Sequence, residues 1–305
     1  MSALMNNYLY GKAGKADFTP DQLPANRMAL FLEMFRIRLG GLCGVNLFCL
    51  LTSLPAIIWS ILTYQVILMD IETNPEAASA MLSGRIITYL LFMIPCLVLT
   101  SVLNTGVAYI MRNWSRDQHT FTVSDYKDAL KENWKGGLLV GLINGFSLLI
   151  TYICYTYYGV MASQSGMFWY IPQMLVVILC CVWWMANMLI MPMMVTYEMN
   201  FKTLVRNSII MVVGRLPWSL LFWGLSVLIP LVCLLYVPYG IVIVGIFYAV
   251  IGFSLTYFVY ASYANSCFDR FLNPRIEGAP VNMGLRDPNL AEEEVEVTEE
   301  DIKNL

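Results

Sequence analysis

The sequence is poor in charge. Only 13% of its 305 residues are Asp, Glu, Lys or Arg, whereas a soluble domain carries roughly 25%. Hydrophobic residues make up 58% and the mean hydropathy is +0.63. That is more apolar surface than one water-soluble core can bury, so an ordinary soluble globule is excluded and the bilayer is the natural solvent. Histidine is almost missing: His119 stands alone, in a polar segment where an exposed imidazole has no evident task. No CxxC pair and no GxxxxGK[ST] phosphate loop occurs, which removes the usual redox, zinc and nucleotide motifs. The net charge of −3 gives no electrostatic basis for binding nucleic acid. A secretory leader is not expected either, because about 40 mixed residues precede the first apolar run and that run is too long for an h-region.

Ionisable groups are also missing where membrane chemistry needs them. No Asp, Glu, Lys, Arg or His lies well inside any long apolar run. Their absence weighs against a proton-driven pump and against an intramembrane protease, which needs a buried His, an Asp pair or a metal motif. No catalytic residue, cofactor or metal site is therefore expected, and no enzymatic activity. Eight cysteines are present. Seven fall inside apolar runs and read as small apolar fillers.

Six uncharged runs are there instead, at about 42–69, 86–111, 136–161, 168–196, 216–236 and 239–263. Each meets or exceeds the roughly 20 helical residues that cross about 30 Å of hydrocarbon. Lipid offers the backbone no hydrogen-bond partner, so the crossings must be helices. The fold class expected is an all-α polytopic membrane bundle of six transmembrane helices, with short amphipathic cytoplasmic helices. Only Val237 and Pro238 separate the last two runs, which predicts a tight turn around Pro238 and Gly240.

Charge concentrates between the runs, above all in 112–135, with Arg112, Arg116, Lys127, Lys131 and Lys135. With the segments before 42, around 197–215 and after 264, one face of the membrane collects 17 of the 18 Lys and Arg, leaving Arg85 on the other. That asymmetry predicts both termini in the cytoplasm. The organisation expected is a cytoplasmic N-terminal segment at 1–41, a membrane domain at 42–264 and an acidic, disordered cytoplasmic tail at 265–305. Within the first, 27–40 suits an interfacial helix or an extension of the first span. In the tail, 291–301 holds seven acids and no base, which self-repels. The longest outer loop falls at 70–84. The sequon Asn113-Trp114-Ser115 lies on the cytoplasmic side, where glycosylation is not expected.

Two cytoplasmic elements carry helical periodicity. In one, Thr122 is an expected N-cap with Asp125 three residues on, and Val123, Tyr126, Leu130 and Trp134 share a face. In the other, Asn200 caps a helix bearing Phe201, Leu204, Val205, Ile209 and Val212. They are a faint repeat or two interfacial helices built by the same rules. The first supplies a candidate contact face: Tyr126, Lys127, Leu130, Lys131, Asn133 and Trp134. Inside the runs the notable polar residues are Asn46, Asn104, Asn144 and Asn187, all about 6–14 Å from the cytoplasmic end at 1.5 Å per residue. They read as interhelical hydrogen-bond glue or as a polar vestibule. Pro55 and Pro95 kink their helices for packing or form hinges. Trp114, Trp134, Trp169 and Trp218 sit near run ends as interfacial anchors.

Phe35-Arg36-Ile37, Val45-Asn46-Leu47 and Leu54-Pro55 resemble the start of the YesL-like family, bacterial membrane proteins built on a domain of unknown function. The stretch from Asp125-Tyr126-Lys127 to Asn133-Trp134-Lys135 is similar to that family's aromatic–basic loop. Met191-Pro192, Phe201-Lys202 and Arg206-Asn207-Ser208 resemble its later segment. The resemblance covers most of 30–265 and leaves the acidic tail outside. It implies the bacterial plasma membrane and an accessory or regulatory role beside a carbohydrate ABC-type uptake system, with transporter subunits as partners. It transfers no site residues. The alternative is a pore or facilitator for a small neutral solute, with the four asparagines as lining. Besides the lipid bilayer, no partner or oligomeric state follows from the residues.

Overall fold

The computed structural model of the protein describes residues 23–286. The acidic run at 291–301, together with Lys12, Lys15 and Lys303, lies outside them. Among the described residues there is no strand. The chain forms α1 (Arg27–Thr73), α2 (Pro75–Trp114), α3 (Thr122–Ser165), a 3₁₀ turn (Met167–Trp169), α4 (Tyr170–Met194), α5 (Phe201–Gly214), α6 (Leu216–Tyr236), α7 (Gly240–Phe247), a π-helical turn (Tyr248–Gly252) and α8 (Phe253–Phe271). A final 3₁₀ turn spans Asn273–Arg275. Six helices are long and apolar enough to cross a membrane, counting α7, the π turn and α8 as one rod. Their outer surface is a girdle of exposed apolar side chains, among them Ile58, Leu91, Ile178 and Leu228. An apolar surface of that extent belongs in lipid.

The rods are longer than the sequence pattern implies. α1 has 47 residues, α2 40 and α3 44; at 1.5 Å per residue each exceeds the bilayer core by about 30 Å or more. The outer loop expected at 70–84 is helix. Only Asn74 separates α1 from α2, with Pro75 opening α2, and the Ala-rich stretch after it favours helix. Arg85 donates to both carboxylate oxygens of Asp70, at 2.8 and 3.2 Å, and closes that hairpin. At the other end, residues 27–41 extend the first span, with Asn26 Oδ1 accepting from Ala29 N at 2.9 Å. The helix expected at 122–134 is not separate. No breaker follows Trp134, so it runs on as the base of α3. Its cap is Phe121, one residue before the expected Thr122, and Asp125 Oδ2 accepts from Phe121 N at 2.9 Å. α5 is a short separate helix, and Asn200 caps it without a side-chain hydrogen bond.

α2 and α3 form the tightest joint in the bundle. Gly137, Gly141 and Gly145 recur every four residues along α3 and press against the α2 backbone. A Cβ on Gly141 would lie 2.5 Å from Val98 Cα. In lipid, where apolar side chains gain little by leaving hydrocarbon, such close backbone contact drives helix association. The α6–α7 turn is as tight. A Cβ on Gly240 would sit 1.8 Å from the Cys233 carbonyl oxygen, so the hairpin expected at Pro238 and Gly240 requires glycine there.

Two buried clusters hold the basic half of the molecule together. One joins Met188, Leu189 and Met193 of α4 to Leu204 and Val212 of α5 and Phe268 of α8. The other joins Leu30, Met34 and Val45 of α1 to Val107 and Met111 of α2 and Phe258 of α8. Residues 265–286, counted with the loose tail from composition, are packed instead. α8 continues to Phe271, Asp269 pairs with Arg27, and Arg286 N donates to Pro24 O at 3.1 Å. Composition sees a polar stretch there; the partners that order it come from the far end of the chain.

Candidate functional site

Three of the four intramembrane asparagines meet. Asn104 from α2, Asn144 from α3 and Asn187 from α4 line one cavity of about 270 Å³, closed by Trp223 and Ser226 of α6 and Thr256, Tyr257 and Tyr260 of α8. Thr100, Ser101 and Trp184 complete the polar part of the wall. The lining contains no charged side chain.

The hydrogen bonds show what the wall can still offer. Asn104 Nδ2 donates to the Tyr257 hydroxyl at 2.6 Å, and Thr52 Oγ1 reaches Asn104 Oδ1 at 3.5 Å. Trp183 Nε1 donates to Asn144 Oδ1 at 2.8 Å, which leaves both Asn144 Nδ2 hydrogens unspent. Asn187 Nδ2 donates to Trp183 O at 3.0 Å, which leaves Asn187 Oδ1 unspent. Ser226 and Tyr260 share a hydrogen bond between hydroxyls. Thr100, Ser226 and Thr256 donate to main-chain carbonyls and keep acceptor capacity. One more donor on the wall, Trp184 Nε1, is buried without a partner. The cavity thus presents amide and hydroxyl groups of both polarities and no charged side chain.

Asn46 is not part of it. Its Nδ2 donates to Tyr248 O and Ala249 O at 2.8 and 2.9 Å, and its Oδ1 accepts from Ser254 N at 3.1 Å. A π turn displaces main-chain groups from the regular ladder, and Asn46 takes up three of them. Its task is to hold the break in the last rod.

A second polar cluster lies at the basic end. Arg116 Nε donates to Asn265 Oδ1 at 2.8 Å, and Asn265 Nδ2 donates to Ser115 Oγ at 2.6 Å. Arg112 lies over the Tyr109 ring at 4.5 Å and donates to Val195 O at 3.1 Å. Tyr197 hydrogen-bonds Asn273, which donates to Asp269 at 2.8 Å. Burial pushes the Arg116 guanidinium below its ordinary value, with Tyr197 and Asp269 opposing the shift. Burial likewise pushes the Tyr197 phenol up to about 12. Nothing in the sequence pattern marks Asn265, Asn273 or Tyr197 as partners of Arg112 and Arg116, since the contacts span the whole chain. The network anchors α8 to the ends of α2 and α4.

The candidate contact face is divided. Lys127, Lys131 and Trp134 are exposed on one side of the α3 base, with Leu130 and Asn133 half-buried beside them. Tyr126 turns inward: its hydroxyl donates to Leu103 O at 2.9 Å and its ring stacks on Phe48 at 5.5 Å. Beside this face, a cleft of about 660 Å³ runs between the α3 base at Asn133, Lys135 and Gly136 and the turn at Tyr197, Glu198 and Asn200.

Residues 57–155 match the model of a family described as DUF624, protein of unknown function. This stretch, about a third of the chain, is similar to that family, in keeping with the YesL-like resemblance. The resemblance read from 125–135 holds there, while the stretches from Phe35 to Pro55, Met191-Pro192 and Phe201 to Ser208 lie outside the match. The matched stretch takes in the last third of α1, all of α2 and most of α3, hence the glycine joint, Asn104, Asn144 and the contact face. Asn46 and Asn187 fall outside it. No curated protein and no solved structure matches the chain.

Proposed function

We propose that this protein binds a small neutral, hydroxyl-bearing solute in the cavity between α2, α3, α4, α6 and α8, acting by recognition and not by catalysis. One observation carries the reading: asparagines from three helices and hydroxyls from two more face a single cavity whose lining contains no Asp, Glu, Lys, Arg or His. Uncharged donors and acceptors in a low-dielectric setting suit a ligand that brings hydroxyls and no charge, because a charge there would have no counter-ion. The volume, about 270 Å³, sits just below the roughly 300–1,000 Å³ of small-molecule sites and fits a compact polyol or monosaccharide better than an oligomer.

The test is thermal unfolding of the purified protein in nanodiscs against a panel of neutral polyols and monosaccharides, repeated with Asn144→Leu plus Asn187→Leu. At a concentration 100 times Kd a ligand stabilises by about 2.7 kcal/mol. The wild type should gain stability with one class of solute and the double variant should not. A panel that leaves the wild type unmoved, or stabilises both proteins equally, rejects the proposal.

A second reading rests on the exposed Lys127, Lys131 and Trp134 and on the family resemblance: an accessory subunit of a carbohydrate ABC-type uptake system, docked through the base of α3. Both termini are placed in the cytoplasm on this reading, because the basic end faces inward. It predicts co-purification of permease or ATPase subunits from native membranes, lost on Lys127→Glu plus Lys131→Glu. Recovery of lipid and chaperones alone would reject it.

A further inference from the structure

From the geometry of the basic end we infer that it carries a site for one anionic phospholipid of the adjacent leaflet, in a groove between the start of α1, the start of α6 and α8. Two adjoining cavities form it, of about 280 and 250 Å³, and Arg27, Arg215 and Ser266 lie on the walls of both. One continues along Phe31, Trp218, Phe222 and Val259 and is almost wholly apolar. The other adds Asp269, Arg270 and Asn282. A charged compartment opening into a ring-lined apolar one matches a phosphate head group joined to an acyl chain.

The charges fit that occupant. Arg215 has no carboxylate within 4.0 Å among the described residues. Its Nη1 donates to Ser266 Oγ at 3.0 Å and its guanidinium lies 5.4 Å from the Tyr263 ring centre, contacts that orient it without neutralising it. Arg27 pairs with Asp269, yet its Nε is buried and makes no hydrogen bond. Arg270 is exposed and forms no ion pair among the described residues. Three guanidinium groups therefore face one carboxylate, which leaves the head compartment cationic. A guanidinium with free N–H groups is a strong phosphate partner. Trp218 stands half-exposed three residues after Arg215, where an indole sits well at the head-group level, so the groove is reachable from the lipid side.

The experiment uses the full chain, purified and reconstituted in vesicles of phosphatidylglycerol and phosphatidylcholine, then extracted in mild detergent for native mass spectrometry of retained lipid. The wild type should retain phosphatidylglycerol in preference to phosphatidylcholine. Arg215→Gln and Arg270→Gln should each lower that retention about fivefold, the ratio that corresponds to ~1 kcal/mol per basic residue at an anionic surface. Trp218→Ala should lower it without any change of charge, while Lys127→Gln plus Lys131→Gln, outside the groove, should leave it unchanged. Equal losses from the groove and the lysine variants would mean unspecific attraction and would overturn the site. Displacement of the lipid by inorganic phosphate would overturn it in favour of a free anion. Should the arginine variants fail to fold, a photoactivatable phosphatidylglycerol on the wild type decides: labelling mapped to Trp218, Phe222 or Val259 supports the site, and labelling spread over the girdle refutes it.

Discussion

Replacing Asn46 with Leu should be far more damaging than replacing Asn187, although both are intramembrane asparagines at similar depth in the sequence. Asn46→Leu removes three hydrogen bonds to the last rod, at 2.8, 2.9 and 3.1 Å. Side-chain hydrogen bonds between membrane helices contribute roughly 0.6–2 kcal/mol each, and the groups left behind are main-chain groups at a break in the regular helical ladder. The loss should total roughly 2–4 kcal/mol. Asn187→Leu removes one bond, to the carbonyl of Trp183 on its own helix, and should cost less than about 1 kcal/mol. Reversible unfolding in mixed micelles, with SDS fraction as the perturbant and helix content by circular dichroism as the signal, measures both. Equal stabilities of the two variants would refute the reasoning, because they would show that the π turn needs no clasp from α1.

Four further outcomes follow from other positions. Gly141→Ala puts a Cβ 2.5 Å from Val98 Cα and should cost about 1–3 kcal/mol in the same unfolding assay. Gly40→Ala, which meets nothing within 4 Å, should be neutral or slightly stabilising. Asn265→Leu removes the bonds to Arg116 Nε and Ser115 Oγ and leaves a buried guanidinium short of an acceptor. Limited proteolysis should then cut sooner within 266–286, after a loss of about 2–3 kcal/mol. Asp70→Asn removes the charge that Arg85 grips and, for a solvent-screened ion pair, should leave the midpoint of the same SDS titration nearly unchanged.

Much of the architecture was legible because lipid imposes simple rules. Uncharged runs of sufficient length marked the six crossings, and Pro238 with Gly240 marked the α6–α7 turn. What the residues did not disclose falls into two kinds. Helix ends ran past the apolar runs, as at 70–84 and 122–134, because helix propensity continues into water where hydropathy stops. The Ala-rich stretch after Pro75 and the absence of a breaker after Trp134 were the signals to weigh. The Gly137, Gly141 and Gly145 spacing was a further readable sign of close packing. Pairings between distant segments had no local signal. Arg27 with Asp269 and Asn46 with the π turn join residues more than 200 positions apart, and each gave order to a stretch that composition leaves unassigned. The asparagines illustrate the limit: equal depth suggested one group, and the rotation of each helix sent three to a cavity and the fourth to a clasp.

A single division of the molecule is central: most basic side chains lie at one end, which we propose faces the cytoplasm, and Asp70, Glu76 and Arg85 lie at the opposite end. Single cysteines at Lys127 and Ser79, placed in a chain cleared of its native cysteines and expressed in intact cells, test it directly with a membrane-impermeant maleimide. The account predicts labelling at 79 in intact cells and at 127 only after permeabilisation. The reverse pattern, or equal labelling of both in intact cells, would contradict it.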